Sequence, residues 1–210
     1  MIPAPDSVYQ CPKCDNLLKN RNLLSGNTFG ARIFSDSKRI APMLPEYPNL
    51  TKCRKCNTIF WLCKLQEIGT LDWSNEQNPN WENADSADFL TIDDYLNAIE
   101  TGLAENVDEE VLIRMLIWWA FNDRLRNGKE IFRNESDEIR WKENCLALMA
   151  LLDLKNDSQK IMLAELNRNL GDFEKCISII DSIETDNMKW VQEKYRQECE
   201  IKNKWVFQLN

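Results

Sequence analysis

Cys11-Pro12-Lys13-Cys14 and Cys53-Arg54-Lys55-Cys56 decide how this chain is read. Each is a Cys-x-x-Cys pair, and a two-residue spacer suits a tight turn that points both sulfurs to one side. Zinc takes four ligands in a tetrahedron and is bound as thiolate, so two such turns supply the halves of a closed site. Cys11, Cys14, Cys53 and Cys56 are therefore the candidate metal ligands, with structural Zn2+ as the expected cofactor. Lys13, Lys52, Arg54 and Lys55 flank them, where cations help offset the charge of four thiolates around a divalent ion. The alternatives are a pair of disulfides, a redox dithiol or unrelated core cysteines. Two separate doublets favour a metal, and neither is followed by the helix–strand pattern of a thioredoxin-like site. Thirty-eight residues separate Cys14 from Cys53, against about 15–20 in compact four-cysteine sites, so the insert must fold by itself or loop out.

The chain of 210 residues contains no histidine. That removes Cys/His zinc sites, triads with a His base and His-ligated iron or copper. Four cysteines would fill a metal's coordination sphere, leaving no open position for water or substrate, so no catalytic residue and no enzymatic activity are expected. The acidic pairs Asp93-Asp94 and Asp108-Glu109-Glu110 read as charges at helix amino termini, and adjacent residues on a helix do not face one another.

Apolar residues make up 43% of the chain, enough for a sizeable core. Met1-Ile2-Pro3-Ala4-Pro5 is unlike a signal peptide and no eighteen apolar residues run together, so neither secretion nor a membrane partner is expected. Cys63, Cys145, Cys176 and Cys199 lack paired spacing and read as core thiols in a reducing cytoplasm, with Cys63 a buried strand thiol or a spare ligand. Residues 1–66 hold ten Lys and Arg against four acids, and residues 67–210 hold sixteen against thirty. The basic segment can engage phosphates or dock against acidic helices of the same chain, and the second is preferred.

Between the pairs, Leu23–Ala31 and Ile33–Lys38 suit short strands and turns, while Pro42, Pro45 and Pro48 exclude helix and central strand. Thr58-Ile59-Phe60-Trp61-Leu62 reads as a buried strand. Residues 67–88 read as a linker in which Trp73 and Trp81 pin the chain to a neighbouring surface. Helices are expected from a Thr91 cap to Gly102, from Asn106 or Asp108 through a stripe of Val111, Met115, Trp118 and Leu125, over 137–154, and over about 187–205. Ala164-Glu165-Leu166 leads through Leu170-Gly171-Asp172-Phe173-Glu174-Lys175-Cys176 in a pattern that resembles one tetratricopeptide repeat. Thirty-four residues earlier stand Glu130 and Lys142 rather than small residues, so no regular array is indicated.

The expected fold class is α+β by segregation: a zinc-ribbon β domain over 1–66, a linker over 67–88, and an all-α, tetratricopeptide-like solenoid fragment over 89–210. The order Cys-Pro-x-Cys, Leu23-Leu24-Ser25-Gly26-Asn27-Thr28-Phe29-Gly30-Ala31, Phe34-Ser35-Asp36-Ser37-Lys38, Ala41-Pro42-Met43-Leu44-Pro45, Cys-x-x-Cys and Ile59-Phe60-Trp61-Leu62 resembles a family of uncharacterised bacterial proteins. That family has an amino-terminal zinc ribbon and a helical tail, and Ile117–Asp123 is similar to it too. The resemblance implies zinc ligation by Cys11, Cys14, Cys53 and Cys56 and no known activity. A cytoplasmic protein-binding adaptor or scaffold is the leading expectation, with a protein or peptide partner and Asn122, Asp123, Arg124, Arg126, Asn167 and Arg168 on a concave surface or a solvated face. A zinc-ribbon nucleic-acid binder is the alternative, with an enzyme that uses carboxylate pairs such as Asp93 and Asp94 ranked after it.

Overall fold

The structure, a computed structural model, describes residues 1–71, 78–185 and 188–210. In chain order the strands are β1 (Ile2–Gln10), β2 (Leu17–Ser25), β3 (Arg32–Ile33), β4 (Arg39–Ile40), β5 (Leu50–Lys52), β6 (Ile59–Trp61), β7 (Gly69–Leu71) and β8 (Asp85–Ser86). The helices are α1 (Pro79–Glu82), α2 (Ile92–Glu100), α3 (Val107–Arg126), α4 (Glu135–Leu151), α5 (Asp157–Asn169), α6 (Phe173–Asp181) and α7 (Lys189–Glu200). A small sheet region thus precedes a helical one, as the α+β reading expects. The chain divides into two compact units, Met1–Ala31 with Ala41–Leu103, and Arg32–Ile40 with Ala104–Asn210. The expected division ended one domain at residue 66 and opened the next at 89. The units instead keep α2 with the strands and give β3 and β4 to the helices.

In the first unit, β1 and β2 pair antiparallel at the centre of a sheet of order β7-β1-β2-β8. β1 contains Pro3 and Pro5, which cannot donate to a regular ladder. The ladder accommodates them where its register shifts, between Ile2 and Pro3 and between Ala4 and Ser7. Residues 67–88 are more than a connection, since β7 pairs with β1 and β8 runs parallel to β2. Trp73 lies outside the described residues. Trp81 pins as expected: a Cβ on Gly69 would stand 2.1 Å from its indole, so only glycine lets the ring lie against β7. Cys63 is not a buried strand thiol; it is exposed in the one-turn helix Leu62–Lys64 that follows β6.

In the second unit α3 packs on α4, α5 on α6, and α6 on α7. The α5–α6 hairpin follows from its sequence. Gly171 takes φ +89°, its amide donates to Arg168 O and the Asp172 amide to Asn167 O, which closes α5, while the Asp172 side chain accepts from the Lys175 amide to open α6. Ala164 and Cys176 are fully buried where the two helices meet. The buried stripe of α3 is Ile113, Ile117, Trp118 and Phe121, offset from the expected one because this helix is apolar on several faces and sequence periodicity cannot choose among them.

The Phe34–Lys38 turn between β3 and β4 enters this helical unit. Ser35 and Asp36 are fully buried. Asp36 pairs with Arg126 and accepts from Asn122 Nδ2 at 2.8 Å, and its carbonyl accepts from Trp119 Nε1 at 2.9 Å. Ser35 Oγ donates to Glu165 Oε1 at 2.7 Å, and Ser35 O accepts from the Tyr195 hydroxyl at 2.7 Å. Arg168 grips Glu165 at 2.6 Å and donates to the carbonyls of Asn203 and Trp205. α7 ends at Glu200, short of the expected 205; beyond it the tail is extended, and the amides of Ser35 and Leu209 donate to Phe207 O and Ile33 O at 2.9 and 2.8 Å. Asn122, Arg126, Asn167 and Arg168 are therefore buried, neither lining a concave surface nor solvated.

Two outcomes follow from this packing. Gly69→Ala drives a methyl into Trp81 and should cost about 1–3 kcal/mol in urea unfolding, with part recovered by adding Trp81→Leu. Asp137 is buried, and although burial raises its pKa, hydrogen bonds from Arg124, the Arg133 amide and Arg140 hold it below the usual carboxylate range. The folded value lies below the unfolded one of about 3.9, so this stabilisation is present above that pH and lost as pH falls through the folded value. Asp137→Asn should lower stability by about 3 kcal/mol at neutral pH and flatten the acid limb of stability against pH.

Candidate metal centre

The two knuckles are one local structure made twice. The Cys11 amide donates to Asn16 O at 2.9 Å and Asp15 N to Cys11 O at 3.0 Å; the Cys53 amide donates to Thr58 O at 2.9 Å and Asn57 N to Cys53 O at 2.9 Å. Asp15 and Asn57 take φ of 57° and 58°. These are left-handed positions, which Asp and Asn occupy more readily than other side chains. Each knuckle joins two antiparallel strands, β1 to β2 and β5 to β6. The signal was in the sequence, an Asp or Asn directly after the second cysteine of each pair, and the sequence reading did not use it.

The four sulfurs converge: Cys11, Cys14, Cys53 and Cys56 all lie with their ligand atoms within 4.8 Å of one another, the only such group among the described residues. Cys11 Sγ stands 3.5 Å from Cys56 Sγ and Cys14 Sγ 3.7 Å from Cys53 Sγ. These separations are too long for a sulfur–sulfur bond. They match the edge of about 3.8 Å that a tetrahedron of thiolates around a zinc-sized ion has, given metal–sulfur bonds of about 2.3 Å. The residues present fit a metal ion, and two Cys-x-x-Cys turns from different hairpins close the site on all sides. Cys63 is not among the clustered cysteines.

The proton inventory is that of a crowded sulfur cluster. Burial pushes the Cys11 thiol up to about 12, with the neighbouring Cys56 and Cys14 thiols adding to the rise. Hydrogen bonding with the Thr58 hydroxyl and amide pulls Cys56 down to about 6. Cys11 and Cys53 are fully buried among Leu18, Phe60 and Leu62, so the ligands form part of the core they would staple.

Two of the flanking cations have other partners. Lys52 Nζ sits 2.7 Å from Asp94 of α2, and Arg54 pairs with Asp88 and lies 3.9 Å from Asp85. Asp94 also completes a capping box with Thr91, and Glu110 pairs with Arg114 at 2.7 Å. The acidic runs thus serve helix ends and ion pairs. Among the described residues no helix is long and apolar enough to cross a membrane. No family model, no curated protein and no solved structure matches this chain.

Titration with Co2+ should give the intense thiolate charge-transfer absorption of a tetrahedral sulfur site, saturating at a single ion per chain and releasing protons as thiols ionise. Cys53→Ser should weaken binding by at least about 10–100-fold. Unchanged affinity in that variant would separate the cluster from metal binding.

Proposed function

We propose that the chain is a zinc-stabilised protein-interaction protein, an adaptor or scaffold of the cytoplasm, in which the metal is structural and the helical unit meets a protein or peptide. The metal assignment is supported by the donor set: four thiolates suit zinc, and a sphere filled by protein leaves no place for substrate. Adaptor function is supported above all by α4. Its buried residues Trp141, Cys145 and Leu148 face inward, while Ile139 and Leu146 are each 51% exposed and stand seven residues apart, on one face two turns along the helix. We read α3 to α7 as an irregular tetratricopeptide-like stack, with the α5–α6 hairpin nearest to that pattern. A cytoplasmic setting is suggested by the use of the cysteines, four gathered as candidate metal ligands and Cys145, Cys176 and Cys199 buried in the core.

The nucleic-acid reading draws on the basic first segment, yet Lys52 and Arg54 are matched by Asp94, Asp88 and Asp85 of the same unit. A solvated chain of phosphates would have to displace those carboxylates.

With the full chain as bait, saturable capture of a defined protein partner is expected. The Ile139→Lys, Leu146→Lys double variant should lose it at unchanged helicity. Retention of single-stranded RNA or DNA at low salt, falling steeply as salt rises, together with failure to enrich any protein, would overturn the adaptor reading in favour of nucleic acid.

A further inference from the structure

Cys176 and Cys199 are separated by 22 residues and lie on different helices, so nothing in their spacing pairs them. The fold does. Cys176 is on α6 and Cys199 in the last turn of α7, these helices pack on each other, and both sulfurs belong to one buried cluster with Ala164, Ile180 and Tyr195. Each thiol is the largest influence on the acidity of the other.

The two sulfurs are not equivalent. Cys176 is fully buried, whereas Cys199 retains 4% of its surface and lines a cavity of about 590 Å³ with Leu170, Gly171, Asp172, Phe173 and Lys202. A small oxidant entering that cavity meets Cys199, while Cys176, in the same buried cluster, does not line it. The electrostatics run the same way. The neighbouring Cys176 thiol lowers Cys199 below the ordinary thiol value, and the buried Arg168 guanidinium adds to this against the cost of burial. The Cys199 thiol, followed by burial, raises Cys176. A more acidic thiol facing a cavity, with a less acidic and fully buried thiol in the same cluster, is the arrangement of an attacking sulfur and a resolving sulfur.

We propose that Cys176 and Cys199 form a peroxide-reactive dithiol, in which Cys199 is oxidised from the cavity and Cys176 resolves it to an α6–α7 disulfide. In the first step the Cys199 thiolate attacks one oxygen of a hydroperoxide, the O–O bond breaks, and the departing hydroxide or alkoxide takes a proton from water. Cys199 is then a sulfenic acid, oxidised by two electrons. In the second step the Cys176 sulfur attacks the Cys199 sulfur, the S–O bond breaks, and the hydroxyl leaves as water with the Cys176 proton. An external thiol reverses the result by exchange. Cys145 serves as an internal reference, because it is buried on α4 and burial alone pushes its thiol far up.

The experiment uses the metal-loaded full chain carrying Cys63→Ser, which removes the exposed thiol. It is treated with hydrogen peroxide, quenched, denatured in an alkylating agent and mapped by mass spectrometry. Expected is a chain lighter by two hydrogen atoms, with Cys176 and Cys199 peptides joined, Cys145 alkylated, the metal retained, and full reversal by dithiothreitol. In Cys176→Ala, oxidation should stop at one added oxygen on Cys199 that dimedone captures; if that variant does not fold, the disulfide map of the parent chain decides alone. The proposal is overturned if Cys176 and Cys199 both stay alkylatable at an exposure that oxidises glutathione, or if Cys199 joins another cysteine. Oxidation of the knuckle cysteines with metal loss before the pair reacts also overturns it.

Discussion

Two carboxylates and two guanidiniums are withdrawn from water together in the helical unit, and the rest of that unit is arranged around them. Asp36 and Glu165 are completely buried, as is Arg168, and Arg126 keeps 5% of its side chain exposed. The four charges cancel. Removing one member of such a set strands its partner at a cost of about 3–5 kcal/mol, far more than an exposed pair is worth. The set also fixes geometry. Arg126 comes from α3, Glu165 and Arg168 from α5, and Asp36 from the turn between β3 and β4, while Arg168 and Asn169 take up carbonyls of the tail at Asn203, Lys204 and Trp205. An apolar core would tolerate slippage among these pieces; a directional network of buried charge admits one register.

The four-sulfur cluster does the corresponding work in the first unit. Cys11 and Cys53 are themselves members of a buried apolar cluster with Leu18, Phe60 and Leu62. Small sheets of short strands are commonly held by a metal or by disulfides, because ordering their loops costs entropy that a small core does not offset. Gathering the sulfurs closes the long loop between Cys14 and Cys53. The β3–β4 turn lies within that loop, so the chain segment that supplies Asp36 has both ends committed to the strands of the first unit. The two stabilising devices are therefore joined by covalent connectivity.

What the sequence revealed was local. The knuckles, the Thr91 and Asn106 caps, the turn at Gly171 and the Asp172 cap depend on residues a few positions apart, and each took the conformation that its side chains favour. The four ligands were named because two thiols at short spacing carry their own meaning. What stayed hidden was non-local. β7 and β8 are two or three residues long and exist only because β1 and β2 offer edges, so no propensity marks them. Arg168 on a helix exterior and Arg168 inside a core have the same neighbours in sequence; only a turn 130 residues earlier distinguishes them. Asp15 and Asn57 are local signals overlooked, as are the Asn134 and Asn156 caps of α4 and α5.

Charge shows most plainly how linear and spatial order part. Counted along the chain, residues 1–66 are basic and the remainder acidic, which invites a picture of a cationic ribbon seeking an anionic partner. In three dimensions Lys52 and Arg54 meet carboxylates of residues 85–94, and Lys38 meets Asp123 at 2.6 Å. The segregation of sign thus contributes to folding: opposite charges placed apart in sequence favour the contacts that bring the pieces together. On α4 the apolar side chains of Ile139 and Leu146 are half exposed, and the proposal of a protein or peptide partner rests on them rather than on charge.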